Sequence, residues 1–224
     1  MKQNYLKVNY TTRPKATPYD YKLVEHVLGY INPLPSGSTV LDLTCGIGGF
    51  SEIFQKRGFT YTGVDIDNYQ PDLNIFKVDI GNERFPFNDE NFDIVFFKMA
   101  IEHLTIAEIG RCLSEIRRVL KPGAAVFIIT PDWTWTYKIF YSEYTHQTPF
   151  TPLSLKTAME MNGLECVLSQ STVQLPIVWQ YPVLKIVCAV AQLFYPLFPK
   201  TKFIKFSRDR MVLGVGLKNK NQES

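Results

Sequence analysis

The chain has 224 residues with a formal net charge of +3, a pI near 8.6 and 46% hydrophobic residues, enough for one compact domain with its own core. So slight a basic excess gives no broad cationic face of the kind nucleic acid requires, so no nucleic-acid partner is expected. Four cysteines (Cys45, Cys112, Cys166, Cys188) and three histidines (His26, His103, His146) are scattered without metal-binding or disulfide spacing, which points to a reducing, cytoplasmic setting. The first residues carry no apolar signal core.

Read in chain order, Tyr19–Ile31 has apolar residues at helical spacing and stops before Asn32-Pro33. Thr39–Leu43 reads as a buried strand leading into the turn Thr44-Cys45-Gly46-Ile47-Gly48-Gly49. A helix over Phe50–Arg57 follows, closed by Gly58. Thr60–Val64 and Asn74–Val78 are the second and third strands, and the continuous apolar run Phe92–Phe97 is a central one. Ile106–Leu120 is amphipathic, with Ile109, Leu113, Ile116 and Leu120 on one stripe, and Lys121-Pro122-Gly123 turns into a fifth strand at Ala125–Ile129. Thr151 caps a helix that has Pro152 at its first position and runs to Met161, with Gly163 closing it. Strands at Leu164–Leu168 and Met211–Leu217 complete a set of seven.

Strands alternating with helices predict an α/β, doubly wound, mostly parallel seven-stranded sheet with right-handed crossovers. The expected organisation is one domain over 1–224, with an N-terminal cap segment at 1–32 and an apolar, aromatic insert at about 172–208. Ligands of such sheets sit beyond the carboxyl ends of the strands. Three acids stand there: Asp42, Asp65 and Asp79, beside a loop that Gly46 and Gly48 open to close backbone approach. This set suits S-adenosylmethionine (SAM). Asp42 would face the ammonium and sulfonium, Asp65 the ribose hydroxyls, and Asp79 the adenine amine between Ile66 and Ile80, with the carboxylate at the helix start. A dinucleotide fits less well, because Asp42 would repel pyrophosphate and Ser51 stands where the third glycine of G-x-G-x-x-G is required.

Val40-Leu41-Asp42-Leu43-Thr44-Cys45-Gly46-Ile47-Gly48 resembles the first motif of class I SAM-dependent methyltransferases, and Gly63-Val64-Asp65-Ile66 their second. Asp79-Ile80, Phe85-Pro86-Phe87, Asn91-Phe92-Asp93-Ile94-Val95, Ile101-Glu102-His103-Leu104 and Arg118-Val119-Leu120-Lys121-Pro122-Gly123 resemble the family's small-molecule branch (type 11 and type 23), over about residues 20–170 plus the final strand. Thr44 departs from the family's usual glycine. The resemblance implies a Rossmann-like methyltransferase fold, SAM as cofactor with S-adenosylhomocysteine as product, and a cofactor site of Asp42, Thr44, Cys45, Gly46, Ile47, Gly48, Asp65, Ile66, Asp79, Ile80, Lys98 and Met99.

His103, just past the fourth strand, is the candidate base for a hydroxyl acceptor, and its alternative is a structural hydrogen bond at a helix start. Quinone-pathway relatives are thought to hold a metal with Glu-x-x-Glu-His; here Met99 replaces the first Glu, leaving Glu102 and His103, so no metal is expected. His146 begins an H-x-x-x-F-T-P-x-x-L stretch that resembles the acceptor-facing loop of the same branch. Trp133, Trp135 and Tyr137 read either as an aromatic wall of the acceptor pocket or as a lid packed on itself, and Tyr10 and Arg13 as closing over the cofactor. The expected acceptor is a small molecule, a glycan or a lipid-linked compound, methylated at oxygen; the alternative is a non-catalytic SAM-binding scaffold or a membrane-peripheral protein. For the insert, rich in aromatics and followed by Lys200, Lys202, Lys205 and Arg208, four readings stand open: a helix packed on the sheet, a lid over a hydrophobic acceptor, peripheral contact with the inner face of a membrane, and a homodimer face.

Overall fold

The computed structural model describes residues 16–67, 71–193 and 209–219. Tyr10 and Arg13 lie outside these residues. A seven-stranded sheet forms the middle layer: β1 (Thr39–Leu43), β2 (Thr60–Asp65), β3 (Ile75–Lys77), β4 (Phe92–Lys98), β5 (Leu120–Pro131), β6 (Leu164–Val173) and β7 (Arg210–Lys218). Its order is β3-β2-β1-β4-β5-β7-β6. The first five strands run parallel, while β7 is antiparallel to both β5 and β6. Progression from β1 goes outward through β2 to β3 in one direction and through β4 to β5 in the other. A crevice therefore opens between β1 and β4 at their carboxyl ends, the place where doubly wound sheets bind ligands.

Helices cover both faces. On one, α1 (Pro18–Leu28) and α2 (Ser51–Lys56) bury Leu23, Val27, Ile53 and Phe54 against Val40, Phe96 and Phe127. On the other, α3 (Ile106–Val119) and α5 (Pro152–Met161), with the short α4 (Trp133–Thr136) between them in the chain, bury Leu113, Ile116, Leu155 and Met159 against Val95, Val126 and Val212. With both faces covered, the inner strands read as continuous apolar runs, as at Phe92–Phe97. Capping boxes set the helix starts: Thr17 with Asp20, Thr105 with Glu108, and Thr151 with Ser154.

Several element ends differ from the sequence reading. The first helix stops at Leu28, three residues early, because the Tyr30 and Ile31 N–H groups bond only three residues back, to the carbonyls of Val27 and Leu28. Lys121-Pro122-Gly123 lies inside β5: Leu120 pairs with Phe92, pairing resumes at Ala125 opposite Ile94, and Gly123 takes a positive φ of 79° between them. Strand β6 continues to Val173, since β7 offers partners as far as Arg210.

Beyond β6, α6 (Pro176–Gln180) and α7 (Leu184–Leu193) form the described part of the insert. Trp179 anchors α6. It stacks on His26 of α1 at 4.7 Å between ring centroids, and its indole N–H donates to the Val173 carbonyl at 2.7 Å. Val173, Val178 and Cys188 make a small separate core. The packed-helix reading thus holds for one side of α7 only, because Ile186 (67% exposed), Val187 and Val190 face outward. Among the described residues no helix is long and apolar enough to cross a membrane.

Candidate active site

A cavity of about 400 Å³ opens at the carboxyl ends of β1, β2 and β4, within the range of small-molecule sites. It is lined by Asp42, Thr44, Cys45, Gly46, Ile47, Asp65, Ile66, Asp79, Ile80, Lys98, Met99 and His103, all expected from the sequence. The three carboxylates converge on one hollow.

Asp42 is buried as the last residue but one of β1, and its Oδ2 accepts from the Tyr61 hydroxyl at 2.9 Å. Burial pushes its carboxyl up to about 7, against the opposing pull of that hydrogen bond and of Lys98. Asp65 ends β2. One of its oxygens accepts from the Gly46 N–H and the other from the Ile66 N–H, each at 2.8 Å. Burial raises this carboxyl as well, while the backbone donors hold it down. A carboxylate has about four acceptor positions, so Asp65 fastens the glycine loop and keeps capacity for a further donor. Asp79 follows β3, accepting from the Gly81 N–H and from the Asn82 side chain, each at 3.1 Å.

The loop after β1 needs left-handed backbone, and Thr44 supplies it at φ 57° where a glycine would be unstrained. Gly46 also has positive φ (57°) and lines the cavity. Gly48 (φ 75°) serves packing: a Cβ there would sit 2.7 Å from Leu73 Cδ1, and the residue does not line the hollow. Met99 is a second left-handed position at φ 54°, with its N–H donated to the Ile129 carbonyl. Beside it, the Lys98 ammonium lies 5.3 Å from the centre of the Phe50 ring. Burial lowers its pKa, opposed by the charges of Asp20, Asp42 and Glu102.

At the far end His103 stands near His146, with ring centroids 4.8 Å apart. The His146 Nδ1 lies 2.7 Å from the Phe140 carbonyl. Glu102 points inward, buried, and accepts from the Thr130 hydroxyl at 2.9 Å. Trp133, Trp135 and Tyr137 do not line the cavity. Trp133 packs edge-on against Tyr137, Phe140 and Tyr141, and Trp135 lies under the Arg210 guanidinium at 3.8 Å, so these aromatics take the self-packed arrangement. Sequence reasoning missed Phe50, Val78, Ala100, Leu104 and Thr145 as lining residues. Phe50 directly follows the glycine loop and was within its reach. Thr145 enters from a distant loop that no local pattern announces.

Residues 15–169 match a family described as a methyltransferase domain. The chain belongs to the class I SAM-dependent methyltransferases. It is 36% identical over 116 residues to 2-methyl-6-phytyl-1,4-hydroquinone methyltransferase of Synechocystis sp., a match covering 47% of this chain and 35% of that protein. It is 33% identical over 140 residues to phthiotriol/phenolphthiotriol dimycocerosates methyltransferase 1 of Mycobacterium ulcerans, covering 57% and 49%. The alignments thus span between a third and a half of these curated relatives. The fold is shared with a SAM-dependent methyltransferase from Archaeoglobus fulgidus at TM-score 0.60 and 21% identity, over 88% of this chain and 94% of that one. The methyltransferase's own residues fit the cofactor SAM: acids for its cationic and hydroxyl groups, an open backbone at Gly46, and apolar Ile66, Val78 and Ile80 beside Asp79.

Proposed function

We propose that the protein transfers the methyl group of SAM to an oxygen atom of a small, lipid-linked or glycan acceptor. The observation that carries this reading is one cavity with Asp42, Asp65 and Asp79 at one end and His103 and Thr145 at the other. SAM supplies a methyl group on a sulfonium, whose departure as a neutral thioether asks little of the protein beyond alignment. Asp42 faces the cationic part of the donor, Asp65 the ribose diol, and Asp79 the adenine amine. Lys98, between Asp42 and Glu102, balances the carboxylates. His103 takes the proton of an attacking hydroxyl. Thr145 orients that hydroxyl, and Leu104 and Ala100 keep water from the reacting atoms.

An amphiphilic acceptor accords with the names of the two curated relatives and with the outward face of α7. That face (Val183, Ile186, Val187, Val190) precedes a stretch of sequence containing Lys200, Lys202 and Lys205, an arrangement suited to the anionic cytoplasmic face of a membrane. Two experiments test the reading. Calorimetry is expected to show saturable binding of SAM and S-adenosylhomocysteine, and absence of heat with both would end it. Incubation with SAM and lipid or metabolite fractions is expected to release S-adenosylhomocysteine with one methyl added to a single compound; binding without release would leave a non-catalytic scaffold. Flotation with anionic liposomes, with and without residues 175–206, tests the membrane contact.

A further inference from the structure

Among the described residues, one group of three metal-ligating side chains comes together: Glu102, His103 and His146, with one ligand atom of each within 4.8 Å of the other two. The sequence separates His146 from the pair by helix α3, strand β5 and the connection beyond it, so their meeting is a product of the fold. Four hydrogen bonds make it. The N–H groups of Gln147 and Thr148 donate to the Glu102 carbonyl at 2.8 and 3.0 Å. The Gln147 side-chain amide donates to the His103 carbonyl at 2.7 Å, and the Thr148 hydroxyl to the Leu104 carbonyl at 2.6 Å. The strap carrying His146 is thereby stapled across the 3-10 turn Ile101–His103.

Glu102 and His146 have outer partners of the kind that orient metal ligands. The His146 Nδ1–H donates to the Phe140 carbonyl, which leaves the Nε2 lone pair as the ligand atom. The Thr130 hydroxyl fixes the Glu102 carboxylate. Protein-bound zinc keeps bonds of about 2.0–2.2 Å, so its tetrahedral ligands lie roughly 3.3 Å apart. The three ligand atoms, within 4.8 Å of one another, would draw in to that spacing around a bound ion.

We propose that Glu102, His103 and His146 form a binding site for a divalent transition metal of the zinc class, at the acceptor end of the cavity. Two imidazoles and one carboxylate make a three-ligand set that leaves further coordination positions open, and this set favours zinc-class ions over magnesium or calcium. His103 lines the cavity beside Thr145, so an open position faces the place where an acceptor oxygen would sit. Met99 stands where a first glutamate would be, and the strap instead brings His146 beside Glu102 and His103. The site does not depend on the methyl-transfer reading. The base role of His103 proposed above is that of the metal-free chain; with a cation bound the histidines would be ligands, and the acceptor hydroxyl, made more acidic by coordination, would lose its proton to solvent.

The test is a titration of the full chain, stripped of metal with a chelator, using Zn²⁺ against a chromophoric indicator and Co²⁺ by visible absorption. One equivalent is expected to bind, with weakening of about tenfold or more in His103→Ala, in His146→Ala and in Glu102→Gln, and no change in His26→Ala. Circular dichroism checks folding, because Glu102 is buried; the two histidine variants carry the test should Glu102→Gln not fold. Saturable binding unaltered in both histidine variants, a thiolate charge-transfer band implicating Cys45, or no binding at all would each overturn the site. SAM calorimetry on the same variants keeps the two readings apart: donor binding is expected to survive loss of the metal.

Discussion

Around the cavity, the end proposed to take the donor rests on strand ends and the end proposed to take the acceptor rests on loops. Asp42 and Asp65 sit within or at the last residue of β1 and β2, held by parallel pairing on both sides of β1. His146, Thr145 and the Trp133–Tyr141 aromatics sit on a connection fastened to the rest by side-chain and turn hydrogen bonds. Strand ends move little and can be specified by a few residues in line. Loops take their geometry from whatever they touch, and a family can vary them to suit different acceptors while the donor end stays fixed.

The largest expected effect falls on the donor end. Asp65→Ala removes the acceptor of the Gly46 and Ile66 N–H groups as well as a donor contact, and hydrogen bonds to charged groups are worth about 1.5–3 kcal/mol. SAM affinity is expected to fall about 100-fold by calorimetry, and a change under threefold would show that Asp65 serves neither loop nor ligand.

The next effect separates the two ends. Trp133→Ala empties an edge-to-face aromatic cluster and is expected to cost roughly 2 kcal/mol of stability in denaturant melts. SAM affinity should be unchanged. A matching loss of SAM binding would mean that the ends are mechanically one.

A third prediction uses pH. Asp42 titrates near 7 in the folded chain and near its ordinary carboxylate value of about 4 when unfolded. In that window only the folded protein holds the extra proton. The stability that this proton contributes is complete below about pH 4 and is lost as pH rises through 7. A cationic donor favours the ionised form, so SAM affinity is expected to weaken by up to about tenfold per unit as pH falls below 7, with a larger SAM-induced rise in Tm at pH 8 than at pH 6. Asp42→Asn should flatten both trends, and a pH-independent affinity in the unaltered protein would remove Asp42 from the cationic contact.

The smallest effect is expected at Thr44. Thr44→Gly relieves a left-handed backbone but adds conformational entropy to the unfolded chain, and both terms are about 1 kcal/mol. Melting and SAM binding should stay within about twofold of the original. A large gain in affinity would show that the strained threonine holds the loop away from the ligand.

What the sequence by itself determined was the sheet, its polarity and the acids at its edge. Apolar runs such as Phe92–Phe97 declare a strand covered on both faces, and the glycine turn after Leu43 places Asp42 and Asp65 in neighbouring parallel strands. The element ends were less legible, because Gly29 and the Lys121–Ala124 irregularity are settled by hydrogen bonds that local pattern does not count. Only the tertiary structure decided that Gly48 makes room for Leu73, that Trp133 packs on its own neighbours, and that His146 meets His103 and Glu102. Backbone pairing between adjacent strands follows from period and order along the chain. The meeting of a loop with a distant turn follows from side-chain hydrogen bonds, and these exist only once the sheet has brought both to the same edge.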